Sequence, residues 1–124
     1  MSKTILLVED DRDLLDLMTK KLSDEGFTVQ GFDTGGAALA YLKNNTPDMA
    51  ILDVLLPDID GLTILSEIAK SKHLKKMPAL ILSNLADEAS IEQAIAVGPQ
   101  YEYLVKSRVP LNELVKKIKK TVDG

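Results

Sequence analysis

Three carboxylates stand side by side at Glu9-Asp10-Asp11, directly after the apolar run Ile5-Leu6-Leu7-Val8. Like charges crowded at one point repel and raise one another's pKa, and a bound divalent cation relieves the crowding. A second apolar run, Met49-Ala50-Ile51-Leu52, ends in Asp53. If the two runs are parallel strands, their carboxyl ends open on one edge and the acids meet there. Two or three carboxylates suit Mg²⁺, which takes oxygen ligands and keeps several waters. Asp53 beside such an ion is a candidate nucleophile, able to accept a phosphoryl group as an aspartyl phosphate. Ser83 and Lys106 close two later strand-like runs. The Lys106 ammonium and the cation would neutralise charge on the transferring oxygens, with the Ser83 hydroxyl as donor.

That chemistry requires a frame that brings distant strand ends together, and the hydrophobic pattern predicts one. Short apolar runs alternate with longer amphipathic ones, which is an α/β signature. Strands are expected at Thr4 to Val8, Thr28 to Phe32, Met49 to Asp53, Ala79 to Ser83 and Glu102 to Val105. Helices should fill the gaps. Leu14, Leu15, Met18 and Leu22 form one stripe stopped by Gly26, and a helix from about Asp87 to Val97 stops at Gly98. Leu111, Leu114, Val115, Ile118 and Val122 form the last stripe, with Pro110 near its first turn and Lys116, Lys117, Lys119 and Lys120 towards its end. Five strands and five helices with short loops predict a doubly wound parallel sheet of flavodoxin-like order 2-1-3-4-5 in a three-layer α/β/α sandwich. In that fold ligands sit beyond the carboxyl ends of the strands, where Glu9, Asp10, Asp53, Ser83 and Lys106 would gather.

Composition bounds the alternatives. At 124 residues with 45% hydrophobic content, the chain suits one domain with a single sizeable core. It has no cysteine, which removes disulfides, thiolate metal sites and a cysteine nucleophile. No signal-like stretch precedes the first strand and no apolar run approaches a membrane span, so a cytoplasmic location without membrane attachment is expected. A net charge of -4 argues against bulk electrostatic binding of nucleic acid.

With these residues in order, the chain resembles the receiver domain of bacterial two-component response regulators, of the single-domain chemotaxis-protein-like type, over essentially its whole length. The resemblance rests on Glu9-Asp10, on Asp53, on the turn Leu56-Pro57-Asp58-Ile59-Asp60-Gly61, on Ser83 and on Tyr103-Leu104-Val105-Lys106. It implies one receiver domain spanning 1–124, with Asp53 the phosphoacceptor, Asp10 a direct Mg²⁺ ligand, Glu9 a ligand through water and the Leu55 carbonyl another ligand. Lys106 would pair with the phosphoryl group. Ser83 and Tyr103 match the family's switch pair, in which the hydroxyl moves towards the phosphoryl group and the ring turns inward, changing the face formed by the fourth helix, fifth strand and fifth helix. The implied partners are a sensor histidine kinase or histidine phosphotransfer protein and a downstream protein, with a phosphorylation-dependent homodimer also compatible. The implied activity is self-catalysed phosphorylation and dephosphorylation, not enzymatic turnover.

Three departures from the family pattern bear on switching. Lys106 is followed by Ser107 where the family usually has a cis proline, and a trans bond is expected because cis before other residues costs about 2.5 to 4 kcal/mol. The loop Gly98-Pro99-Gln100-Tyr101-Glu102 is one residue longer than the common pattern, and Asn84 stands where smaller residues are frequent. Leu55 and Leu85, two residues beyond Asp53 and Ser83, are placed to flank the acceptor and limit entry of water.

Plainer roles are expected elsewhere. Asp11 and Asp13 read as acids at a helix start and Asp60 as a cap in a Pro-Gly turn. His73 has no partner nearby in sequence and reads as solvated, the lysine clusters as wet faces, and Tyr101 or Tyr103 as rim packing. Two rival classes use some of the same residues. A metal-dependent nuclease or topoisomerase-like domain pairs a strand-end Glu with a DxD, here Glu9 with Asp58 and Asp60, but its DxD should directly follow a strand. A degenerate receiver should lack an acid, the acceptor or the lysine, and all are present.

Overall fold

Neighbouring residues of a strand face opposite sides of its sheet, and β1 (Thr4–Val8) is apolar on both. Ile5 and Leu7 pack with Leu15, Met18, Leu114 and Ile118, whereas Leu6 and Val8 pack with Leu42, Leu65 and Ile68. One strand thus feeds two cores, and helices must cover both faces. The computed structural model describes residues 2–84, 88–98 and 101–123, without the side chains of residues 88 and 90. Its further elements are α1 (Arg12–Asp24), β2 (Thr28–Phe32), α2 (Gly35–Leu42), β3 (Met49–Leu52), α3 (Gly61–Lys70), β4 (Ala79–Ser83), α4 (Glu88–Val97), β5 (Glu102–Val105) and α5 (Leu111–Asp123).

All the strand pairings are parallel and the order is β2-β1-β3-β4-β5, the doubly wound flavodoxin-like sheet expected from the sequence. Residues of α1 and α5 line one core, and residues of α2, α3 and α4 line the other. The strand order reverses between β1 and β3, so a crevice opens at their carboxyl ends. Among the described residues no helix is long and apolar enough to cross a membrane.

Local chemistry explains the element ends. The Asp11 side chain caps α1 by accepting from the amides of Asp13 and Leu14 at 3.0 and 3.2 Å. At its other end Gly26 N–H donates to Ser23 O and Phe27 N–H to Leu22 O, a Schellman motif that requires the left-handed backbone Gly26 adopts at φ 94°. Two expectations need correction. β3 ends at Leu52, one residue early, because Asp53 donates its N–H to Val8 O but then turns out of the ladder. His73 is not merely solvated: its ring nitrogens bond Ser71 Oγ at 2.9 Å and Leu42 O at 3.0 Å, tying the end of α2 to the turn after α3. The expected start of α4 at Asp87 lies outside the described residues, as do Leu85, Pro99 and Gln100.

Candidate functional site

Two main-chain bonds set the floor of the crevice. Glu9 N–H donates to Phe32 O and Asp53 N–H to Val8 O, each at 3.0 Å, so the residue just past β1 and the one just past β3 are fixed side by side. Glu9, Asp10 and Asp53 each offer a carboxylate oxygen, and the three oxygens lie within 4.8 Å of one another. Glu9 and Asp53 are buried, at 2% and 6% exposure, while Asp10 faces solvent. These are hard oxygen donors converging on one point with an open side, the donor set that Mg²⁺ takes while keeping part of its water shell.

Lys106 enters from the far end of the sheet. It opens a short 3₁₀ turn, Lys106–Arg108, directly after β5. Its Nζ lies 2.5 Å from Glu9 Oε1 and 2.9 Å from Asp53 Oδ2, bridging the two buried acids. No peptide bond among the described residues is cis, so the Lys106-Ser107 bond is trans, as expected.

The electrostatics of the cluster follow from burial. Loss of solvent pushes the Glu9 carboxyl up to about 7, against the opposing pull of the Lys106 hydrogen bond and the Asp11 amide. Burial also disfavours the charged form of Lys106, but its bonds to Glu9 and Asp53 outweigh that and hold its pKa above the ordinary lysine value. Lys106 therefore keeps its charge at neutral pH, while burial favours the protonated form of Glu9.

The loop after β3 wraps Asp53 closely. Leu55 N–H donates to Asp53 Oδ1 at 3.2 Å, and Gly61 N–H donates to Val54 O at 2.9 Å. The second bond seats the start of α3 on the loop, and only glycine permits it: a Cβ at Gly61 would lie 1.8 Å from the Asp53 backbone oxygen. The Leu55 side chain is 58% exposed. Ser83 is fully buried at the end of β4, beside Val105 in the register. Tyr103 is half-buried against the α2–α3–α4 core, and Tyr101, expected at the rim, is buried in it.

The two acids of the DxD pair go elsewhere. Asp60 caps α3, accepting from Leu62 N–H at 2.7 Å. Asp58 reaches across to α2, where its Oδ1 and Oδ2 accept from the Gly35 and Gly36 amides, each at 2.8 Å. Those amides hold its carboxyl below the usual carboxylate range. Both acids serve helix starts, so the nuclease-like reading of Glu9 with Asp58 and Asp60 finds no shared site. The reach of Asp58 to Gly35-Gly36 is a feature of the loop that sequence reasoning missed, and paired glycines at a helix start are its only trace in the sequence.

Comparison with known proteins agrees with this geometry. The family model of the response regulator receiver domain matches residues 5–119. Regulatory protein VanRc of Enterococcus gallinarum is 37% identical over 119 residues, covering 96% of this chain and 49% of its own. The chain thus spans about half the length of this curated relative and of others like it. Among solved structures, the phosphorylated cyanobacterial phytochrome response regulator RcpA superposes with a TM-score of 0.85 at 30% identity, covering 97% of this chain and 93% of its own. The Mn²⁺-bound form of response regulator Rcp1 superposes with a TM-score of 0.83 at 29% identity, covering 95% and 92%.

Proposed function

Because this chain belongs to the response regulator receiver domain family, we propose that it is a phosphoacceptor signalling domain in which Asp53 takes the phosphoryl group of a phosphohistidine. The donor is a sensor histidine kinase or a histidine phosphotransfer protein, and residues 1–124 act as one receiver domain. The observation that carries the reading is the Lys106 ammonium bridging buried Glu9 and Asp53 beside Asp10. A nucleophile, a cation-binding set and a counter-charge for a phosphoryl group meet there with no other evident use. The phosphorylated state of RcpA and the Mn²⁺-bound state of Rcp1 support transfer of the same chemistry to this crevice.

In the proposed step an Asp53 carboxylate oxygen attacks phosphorus in line. The P–N bond breaks with its electron pair returning to the imidazole, which leaves neutral when its other nitrogen carries a proton. Glu9, Asp10, Asp53 and the Leu55 carbonyl would hold Mg²⁺, which when bound would supply positive charge to the phosphoryl oxygens. Lys106 exchanges its contact with Asp53 Oδ2 for one with the new phosphoryl group, so the ammonium stays paired. The Ser83 hydroxyl donates to a phosphoryl oxygen, and Tyr103 turns inward behind it. The phosphoryl contacts favour one of two pre-existing states, and the face built by α4, β5 and α5 carries that bias to a downstream protein.

Acetyl phosphate with Mg²⁺ tests the assignment. Intact mass should rise by one phosphoryl group in the wild type and stay unchanged in Asp53→Asn. No incorporation into the wild type, or equal incorporation into the variant, overturns it.

A further inference from the structure

Asp58 makes contacts that phosphoryl chemistry does not call for. Its carboxylate joins segments more than twenty residues apart, accepting from Gly35 and Gly36 at 2.8 Å and from Ile59 N–H at 3.0 Å. The first amides of a helix have no partner within it, and its N-terminal dipole favours a carboxylate. Thr34, the cap residue of α2, takes only the Ala37 amide, at 3.3 Å. That leaves the Gly35 and Gly36 amides for Asp58.

The approach is built into the glycines as well. A Cβ at Gly36 would lie 3.0 Å from Asp58 Oδ2, and one at Gly35 would lie 3.0 Å from Ile59 Cβ and 3.1 Å from Ile64 Cδ1. With side chains at those positions the loop would have to give by a few tenths of an ångström to lie on α2. Upstream, the same loop is fixed by Leu55 N–H on Asp53 Oδ1 and by Gly61 N–H on Val54 O. Between those ties and Asp58 runs Leu55-Leu56-Pro57, the stretch that bears the Leu55 carbonyl.

We propose that Asp58 is a positioning residue for that carbonyl, clasping the acceptor loop to the first turn of α2 so that the fourth oxygen of the cation set is in place before the cation arrives. The inference rests on the receiver reading of the crevice. The clasp is partly exposed to solvent, with the Gly36 bond on the outside and the Gly35 bond part-buried, so its loss should loosen the loop rather than unfold the domain. Asp58→Ala should weaken Mg²⁺ binding roughly three- to tenfold, and Asp58→Asn, which keeps one acceptor, should recover part of the loss.

Mg²⁺ titration followed by calorimetry and by amide NMR, well below the unfolding temperature, decides the matter. Gly36→Ala, which pushes on the clasp from the other side, should weaken Mg²⁺ in parallel with Asp58→Ala. In both variants exchange protection of the Gly35 and residue-36 amides should fall. Wild-type Mg²⁺ affinity in both variants overturns the proposal even if their stability drops, since that is what a purely structural cap would give. Should the wild type itself not bind Mg²⁺, the receiver reading fails and this inference with it.

Discussion

Gly61→Ala tests whether the acceptor loop is as tightly seated as its contacts imply. The added Cβ would lie 1.8 Å from the Asp53 backbone oxygen, 2.7 Å from its carbonyl carbon and 3.0 Å from Val54 Cα. Unbonded carbon and oxygen need roughly 3 Å, so the start of α3 and the loop must separate by about 1.2 Å. Both sides are backbone, and no rotamer change can absorb the shift. Overpacking of this kind costs about 1 to 3 kcal/mol, and losing the 2.9 Å bond from residue 61 N–H to Val54 O adds about 1 kcal/mol. A total near 3 kcal/mol lowers Tm by roughly 10 to 15 °C for a domain of this size. Because the displaced carbonyl belongs to the proposed acceptor, phosphorylation from acetyl phosphate should slow by about 100-fold at a temperature where the variant is folded. Gly26→Ala is the control, since Gly26 has φ 94° and nothing within 4 Å of an added Cβ. It should cost about 1 to 2 kcal/mol through backbone strain alone and leave phosphorylation unchanged. Thermal unfolding followed by circular dichroism, with phosphorylation followed by intact mass, reads both effects. If Gly61→Ala unfolds no earlier than Gly26→Ala, or is phosphorylated at the wild-type rate, the reasoning is refuted.

Replacing Asp10 by Asn removes the exposed member of the three-acid set and should weaken Mg²⁺ roughly tenfold or more, with phosphorylation depressed in step; calorimetric titration showing equal affinities would exclude Asp10 as a ligand. The Glu9 carboxyl, raised to about 7 by burial, makes the folded state bind more protons than the unfolded one between about pH 4.5 and 7. Its stabilising contribution is complete below that range and is lost as pH rises through 7, at up to about 1.4 kcal/mol per pH unit. Urea unfolding across this window should show Glu9→Gln gaining on the wild type as pH rises, and a constant difference would contradict the burial argument. Mg²⁺ affinity should fall below pH 7 in the wild type, because the cation displaces that proton, and lose this dependence in Glu9→Gln. Adding a beryllofluoride mimic of the phosphoryl group should change amide exchange around Tyr103 and in α5; changes confined to the Asp53 loop would defeat the proposed switch.

Features written into short stretches of sequence are legible there, and features made by long-range meetings are not. The caps at Asp11 and Asp60 and the stop at Gly26 are local chemistry, and each stands where the pattern places it. The sheet order is legible too, because doubly apolar strands alternating with amphipathic helices leave few ways to cover both faces. Nothing local, however, marks His73 as the partner of Leu42 O, 31 residues away, or Asp58 as the partner of α2. A histidine in a lysine-rich connector and an Asp in a Pro-Gly turn look the same whether or not a helix end lies within reach. Tyr101 departs from its expected place at the rim for a related reason: its burial depends on Gly98 and on the packing of α4, which the flanking polar residues conceal.

Lys106 shows how the same constraint shapes the chemistry. Two carboxylates buried within a few ångströms would destabilise any fold that had to keep both charged, and two remedies are present here. Glu9 can take up a proton near neutral pH, and Lys106 supplies a permanent positive charge to both acids. Buried Asp53 and Glu9 thus have a counter-charge supplied by the protein itself. In the proposed function, cation binding and phosphoryl transfer would both start from that prepared state. A divalent cation entering from the Asp10 side would meet an acid set already partly neutralised by Lys106. Were charge to arrive on Asp53 with a phosphoryl group, as proposed, the ammonium would already stand 2.9 Å from Asp53 Oδ2 and need only a small movement to meet it. Pre-placement of that kind lowers the reorganisation required in the transfer step, and it explains why a lysine at the end of the last strand belongs with acids at the ends of the first and third.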